Sequence, residues 1–130
     1  MRLIFAAALA VWASVLNAQD AEIQDVISRQ IEAFQEDDVE AAYGFASPSI
    51  QNLIGSPARF GAMVRNGYPM VWRPSDFRFL ELKELRGTYR QKVLFKDTHG
   101  VFHELEYQML LIEDRWRING VRYLQAAPAA

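Results

Sequence analysis

The sequence predicts an α+β domain in which N-terminal helices pack on a curved four-stranded antiparallel sheet. Three observations carry that expectation. Through the first half, apolar residues recur at three- and four-residue steps, the period of a helix with one buried face. From about Asp76 the period changes to two, as in strands. The gaps between those later segments are Arg86-Gly87, Asp97-Thr98-His99-Gly100 and Glu113-Asp114. A parallel crossover needs about a dozen residues, so gaps this short require antiparallel neighbours.

Each element follows from its own residues. Asp20 to Gln35 carries Ile23, Val26, Ile27, Ile31 and Phe34 as one stripe, with Asp20 as the expected N-cap. Asp37 and Glu40 have the spacing of a capping box, which starts a second helix that runs to about Phe45 with Val39, Ala42 and Phe45 inward. Ser47-Pro48 and Ser56-Pro57 each place a capping hydroxyl before a proline, which suits the first helical position. They predict a helical turn over Pro48 to Ile54 and a helix over Pro57 to Asn66, ended by Gly55 and Gly67 in the left-handed conformation. Phe60, Met63 and Val64 form the buried edge of the latter. Tyr68 to Pro74 holds two prolines and no period, and reads as an extended connector.

Four strands follow, over Phe77 to Leu85, Thr88 to Lys96, Val101 to Ile112 and Arg115 to Leu124. In the second, Tyr89, Gln91, Val93 and Phe95 share a face. In the third, Val101, His103, Leu105, Tyr107, Met109 and Leu111 share one. The alternation slips at Asn119-Gly120, which predicts a β-bulge, and the first strand has a similar mismatch between Phe77/Phe79 and Leu80/Leu82. Gln125 to Ala130 reads as a frayed tail.

The first eighteen residues differ from the rest. Met1-Arg2 is a charged start, Leu3 to Ala13 is an unbroken apolar run, and Ala18 is a small residue at the expected cut. This is the layout of a secretory signal peptide. A membrane anchor needs about 20 apolar residues, and this run is shorter. Export to the periplasm or the medium is the expectation, with residues 19–124 as one domain and no membrane span after cleavage. The chain has no Cys, which excludes disulfides, thiolate metal sites, a cysteine nucleophile and lipid attachment at the cut. Its formal net charge is −2, and loss of Arg2 with the leader makes it slightly more acidic. That balance argues against nucleic acid, whose phosphates require basic surface.

Chemistry-bearing candidates are few. Of two His residues, His99 falls in a turn, where a solvated role suffices. His103 falls on the inner face, where it is either a hydrogen-bonded rim residue or an acid–base group. With a single inward His and no second ligand at fitting spacing, no metal site is expected. No phosphate loop or hydrolase elbow is present, and no cofactor is expected. Arg59, Arg65 and Arg73, with Tyr68 and Trp72 between them, form either a solubilising face with apolar plugs or a site for an anionic or aromatic ligand. On the outer sheet face Leu94, Phe102, Leu110 and Ile112 mix with charges, which suggests a homodimer through that face.

Helices followed by a curved sheet that ends in Trp116 to Arg122 (WRINGVR) resemble the cone-shaped fold of the nuclear-transport-factor-two-like superfamily. More specifically, Gln30 to Asp38 (QIEAFQEDD), Ala42 to Gln51 (AYGFASPSIQ) and Phe60 to Pro74 (FGAMVRNGYPMVWRP) resemble an uncharacterised bacterial family, domain of unknown function 4864. The resemblance implies fold and export and supplies no activity, since one fold hosts many functions. The expected function is a non-catalytic module that binds a small molecule or a protein partner through Arg59, Arg65, Tyr68, Trp72, Arg73, His103 and Tyr107. The alternative is an isomerase or hydratase with His103 as base and Tyr107 or Gln91 as hydrogen-bond donor.

Overall fold

The computed structural model describes residues 17–124. The proposed leader, apart from its last two residues, and the proposed tail lie outside them. Five helices precede the sheet: α1 (Ala18–Gln35), α2 (Val39–Gly44), α3 (Pro48–Ile54), α4 (Pro57–Gly67) and α5 (Pro69–Trp72). The strands are β1 (Asp76–Leu85), β2 (Thr88–Lys96), β3 (Phe102–Ile112) and β4 (Arg115–Tyr123). They form one antiparallel meander, β1-β2-β3-β4, and the outer edge of β4 takes a single parallel bridge from Ala46 to Ile118.

The core lies between α1 and the inner sheet face. Ile23, Ile27, Ile31 and Phe34 are fully buried along α1. Val93 and Phe95 of β2 and Leu105, Tyr107 and Met109 of β3 meet them in the same apolar cluster. Val26, on the edge of the α1 stripe, is half-buried. The ends of the β3 face run past the helices: Val101 precedes the strand, and it and Leu111 are exposed rather than inward.

Helix ends depart from the expectations at four places. Asn17, not Asp20, caps α1, its side chain accepting from the Gln19 amide. Asp20 falls instead in the first turn, where a carboxylate suits the positive end of the helix dipole. Asp38, not Asp37, caps α2 by accepting from the Ala41 amide. Asp37 is occupied in ending α1: its φ is 58°, its amide donates to the Phe34 carbonyl, and the Asp38 amide reaches back to Ala33. That is the Schellman pattern, with Asp37 in the left-handed position usually held by glycine. Gly55 ends α3 with φ 97° as expected, but Gly67 is not left-handed. The Tyr68 amide closes α4 on Val64, and α5 begins at once. Pro69 to Trp72 is therefore a helical turn rather than an extended connector, started by a proline at its first position. Both Ser-Pro caps form, Ser47 accepting from the Ile50 amide and Ser56 from Arg59.

Gly61 marks a close approach of α2 and α4. A Cβ there would meet Cγ1 of Val39 at 2.5 Å, so α2 and α4 pack at this distance only with glycine.

Both strand irregularities are bulges. In β4, Gly120 pairs with Gln108 and Ile118 with Met109, which leaves Asn119 extra. In β1 the register jumps between Phe79 and Leu82, so Leu80 and Glu81 oppose Lys92 alone. Among the proposed outer-face residues, Phe102 is exposed, while Leu94, Leu110 and Ile112 are half-buried. The same face carries a charge ladder in which Lys92 pairs with Glu81, and Arg90 and Arg122 both meet Glu106.

Candidate functional site

A cavity of about 210 Å³ opens between the helices and the β3–β4 side of the sheet. Gln30 and Phe34 of α1 line one wall, and Phe60 and Val64 of α4 line another. Tyr107 of β3 with Ile118 and Val121 of β4 supply the sheet side. Ile50, Leu53 and Ile54 of α3 and Met63 of α4 also line it. Leu53 is 82% exposed and Met63 43%, so these two stand at the mouth. The wall is almost wholly apolar, and among the described residues none that lines it carries a formal charge at neutral pH.

Local sequence places each wall. On α1, Ile23, Ile27, Gln30 and Phe34 follow the helical period, so Gln30 is a polar residue on the buried stripe. Its amide donates to the Ala42 carbonyl at 3.1 Å and ties α1 to α2. On α3, Ile50, Leu53 and Ile54 fall on one face of a two-turn helix. That helix is held by the β4 bulge. The Ser47 hydroxyl donates to the extra Asn119 at 2.7 Å, and the Ser47 amide donates to the Ile118 carbonyl at 2.8 Å. The Gln51 amide then donates to the carbonyls of Tyr43 and Ala46, while the Tyr43 hydroxyl donates to that of Gln51. The slip in the strand pattern thus anchors the helix that forms one side of the mouth.

Two inner-face side chains carry buried polar atoms with no partner among the described residues: the Tyr107 hydroxyl and the Gln91 carbonyl oxygen. The two residues are paired across β2 and β3. Their surroundings differ. Gln91 does not line the cavity, and the two hydrogens of its amide nitrogen are shared among the carbonyls of Leu80 at 3.0 Å, Glu81 at 3.4 Å and Lys92 at 2.8 Å. The first two are the residues of the β1 bulge, so Gln91 stitches the irregularity it faces. Tyr107 makes no such bond and lines the cavity. Burial, and secondarily the nearby Tyr68 phenol, hold its phenol far above the ordinary tyrosine range, so it stays a neutral hydroxyl.

The other residues singled out from the sequence are dispersed. His103 is half-buried, and its Nε2 meets Oδ2 of Asp97 at 2.8 Å. The other Asp97 oxygen accepts from the His99 and Val101 amides, which closes the β2–β3 turn. The His103 contact and those two amides hold the Asp97 carboxyl below its usual range. His103 is not among the lining residues, so an acid–base role there lacks the cavity it requires. Arg73 donates to the Phe34 and Trp72 carbonyls, pairs with Asp37 at 2.6 Å and lies 4.8 Å from the Trp72 ring centre. It secures the C-terminus of α1 and has little left for a ligand. Arg65 lies over the same ring, and Arg59 is exposed; neither lines the cavity. Tyr68 alone of that set reaches it, with its hydroxyl donating to the Val121 carbonyl and its ring stacked on Tyr123 at 5.0 Å.

Sequence reasoning therefore missed most of the wall. Gln30 could have been found as the one polar residue at helical spacing within the α1 stripe. The apolar face of α3 was also readable, at 50, 53 and 54. Nothing in the pattern indicated that the two would enclose a space with Tyr107. Among the described residues no group of His, Asp or Glu is arranged to hold a metal, and no helix is long and apolar enough to cross a membrane.

Solved structures share this layout. An NTF-2-like protein of unknown function from Shewanella oneidensis superposes with a TM-score of 0.56 at 17% identity, over 81% of this chain and 98% of that one. A SEC-C motif containing protein from Rhodopseudomonas palustris gives 0.56 at 14% identity, over 83% and 85%. An NTF-2-like protein of unknown function from Burkholderia xenovorans gives 0.50 at 11%, over 88% and 91%. At such identities the likeness is one of fold, and the fold is NTF2-like. No curated protein sequence matches the chain. A family model does, across residues 16–130: the chain belongs to the family described as domain of unknown function DUF4864.

Proposed function

We propose that this protein is an exported, periplasmic or secreted, non-catalytic domain that binds a small molecule in the cavity between α1, α3, α4 and the β3–β4 side of the sheet. The observation that carries the reading is the cavity itself: an apolar enclosure with an exposed apolar mouth. Ligand sites are typically concave, mostly apolar and furnished with few polar groups. Proton transfer near neutral pH needs a group that titrates there. Among the described residues the only titratable side chains in this wall are the phenols of Tyr68 and Tyr107, and Tyr107 is held neutral. Binding without catalysis is the simpler use of such a surface. The Met1 to Ala18 pattern supports export.

Two measurements test the two parts. Val64 lies in the wall on α4, and Val64→Phe fills space that a ligand would need. Native mass spectrometry and thermal shift against a library of small apolar molecules should give binders whose stabilisation is lost in Val64→Phe. If no compound distinguishes the two proteins, the binding reading is wrong. N-terminal sequencing of protein from the producing cells should begin near Gln19, and a chain that retains Leu3 to Ala13 would overturn export.

A further inference from the structure

The same cavity also constrains what enters it. Resting on the binding role proposed above, we infer that the ligand is an uncharged, largely apolar molecule with an N–H or O–H group that donates to Oε1 of Gln30.

Gln30 is the polar exception on the α1 side of the cavity. It lies on the buried stripe between Ile27 and Phe34, is only 3% exposed and lines the cavity. Its amide nitrogen donates to the Ala42 carbonyl at 3.1 Å. That bond fixes which way the amide lies, because the reverse orientation would set two acceptor oxygens against each other. Oε1 is thereby turned away from Ala42, and it accepts from no described residue. The polar side-chain atoms that are both unpartnered and sealed from any space are Gln91 Oε1 and the Tyr107 hydroxyl, among the described residues. Gln30 Oε1 is unpartnered without being sealed, so it touches open space. The space that this buried residue borders is the cavity.

The other polar side chains of the wall do not compete for that role. The Tyr68 hydroxyl donates to the Val121 carbonyl at 3.3 Å, and the Tyr107 hydroxyl is closed off behind its own ring and neighbours. An amide oxygen can only accept. A ligand that fills the cavity takes water away from Oε1, and without a donor in its place the desolvation of that oxygen is uncompensated. The wall therefore selects for a donor.

Charge narrows the donor further. Among the described residues no lysine, arginine, histidine or carboxylate lines the cavity. An ionised group inside an apolar enclosure loses its hydration and meets no counter-charge, which is prohibitive. The donor is thus an alcohol, a phenol or a neutral N–H, and neither an ammonium nor a carboxylate belongs in the interior. An apolar cavity of about 150 Å³ admits benzene, so about 210 Å³ holds a body of roughly six to ten heavy atoms.

Indole and benzofuran share a two-ring frame of that size, with an N–H in one where the other has an acceptor oxygen. Benzoate is of similar size and ionised. Isothermal titration at neutral pH should find indole tightest, benzofuran about fivefold weaker or more, and benzoate without measurable binding, since a neutral hydrogen bond of ordinary strength corresponds to a factor of that size. Gln30→Met keeps an unbranched chain and removes the amide. It also removes the bond to Ala42, so the readout is the ratio of indole to benzofuran affinity, which should fall about fivefold from the parent to the variant. If Gln30→Met does not fold, the order of the two isosteres in the parent decides. Benzofuran binding as tightly as indole in the parent, or an indole preference that survives in Gln30→Met, overturns the donor at Gln30. Benzoate binding as well as indole overturns the uncharged class. In each case, binding that Val64→Phe abolishes leaves the cavity reading intact. If none of the three probes binds while other compounds do so in a Val64→Phe-sensitive way, this ligand class is wrong. If nothing binds at all, both proposals fall.

Discussion

Two places on the inner face of the sheet, only four residues apart on β3, treat a polar side chain in opposite ways. At the turn end, His103 is matched to Asp97 at 2.8 Å, and Asp97 in turn closes the turn through two backbone amides. At the cavity end, Tyr107 is more deeply buried yet has no partner. From sequence, the histidine is the more reactive type and draws attention first. In the fold it is committed to structure, and the tyrosine is the group left free. A polar residue whose bonds are all made within the chain is part of the framework. One that is buried with a bond unmade carries a desolvation cost that nothing in the chain offsets.

Gln91 combines both cases and carries the largest expected effect: its amide nitrogen is bonded within the chain, while its Oε1, like the Tyr107 hydroxyl, has no partner among the described residues. It faces Tyr107 across the β2–β3 pair but spends its amide on three carbonyls. Gln91→Leu removes those donations, partly offset by the loss of the unpartnered Oε1, and should lower stability by about 1–2 kcal/mol, as read by denaturant unfolding. A neutral result would mean that the bulge does not depend on Gln91 and that the framework assignment fails.

Tyr107→Phe should act with the opposite sign in the ligand-free protein. It removes a buried hydroxyl that makes no bond and keeps the ring, so stability should rise by about 1 kcal/mol or stay level. A loss of 2 kcal/mol or more in the same unfolding measurement would show that the hydroxyl does have an internal partner, and the contrast with His103 would disappear.

The smallest effect belongs to the turn. Asp97 is held below its ordinary range by His103 first and by the Val101 and His99 amides next. A carboxylate depressed in the folded state stabilises it above the unfolded value, near 3.8, and that stabilisation is lost as pH falls through the folded value. The parent protein should therefore lose stability below about pH 4, while Asp97→Asn starts lower at neutral pH and has a flatter acid limb in melts at a series of pH values. Parallel acid limbs in the two proteins would show that the pair is not coupled to folding.

Local chemistry in the sequence determined a great deal. The Ser47 and Ser56 caps, the strand boundaries, the alternation that puts Gln91, Leu105 and Tyr107 on one face, and the slip at Asn119 all depend on neighbours within a few residues, so they are visible without a fold. Helix ends were less legible. Asp37 and Asp38 are both competent caps, and the choice between them rests on how α1 closes over Ala33 and Phe34 and on the pairing of Arg73 with Asp37. The site was the least legible part. Its walls come from residues 30, 53, 64, 107 and 121, on five different elements. Periodicity reports which way a side chain faces, and it says nothing of whether the facing surfaces meet without a gap. Only the tertiary packing set α3 on the β4 bulge, left space above Tyr107, and paired His103 with Asp97, because each of those outcomes depends on distances between segments that the chain itself does not encode locally.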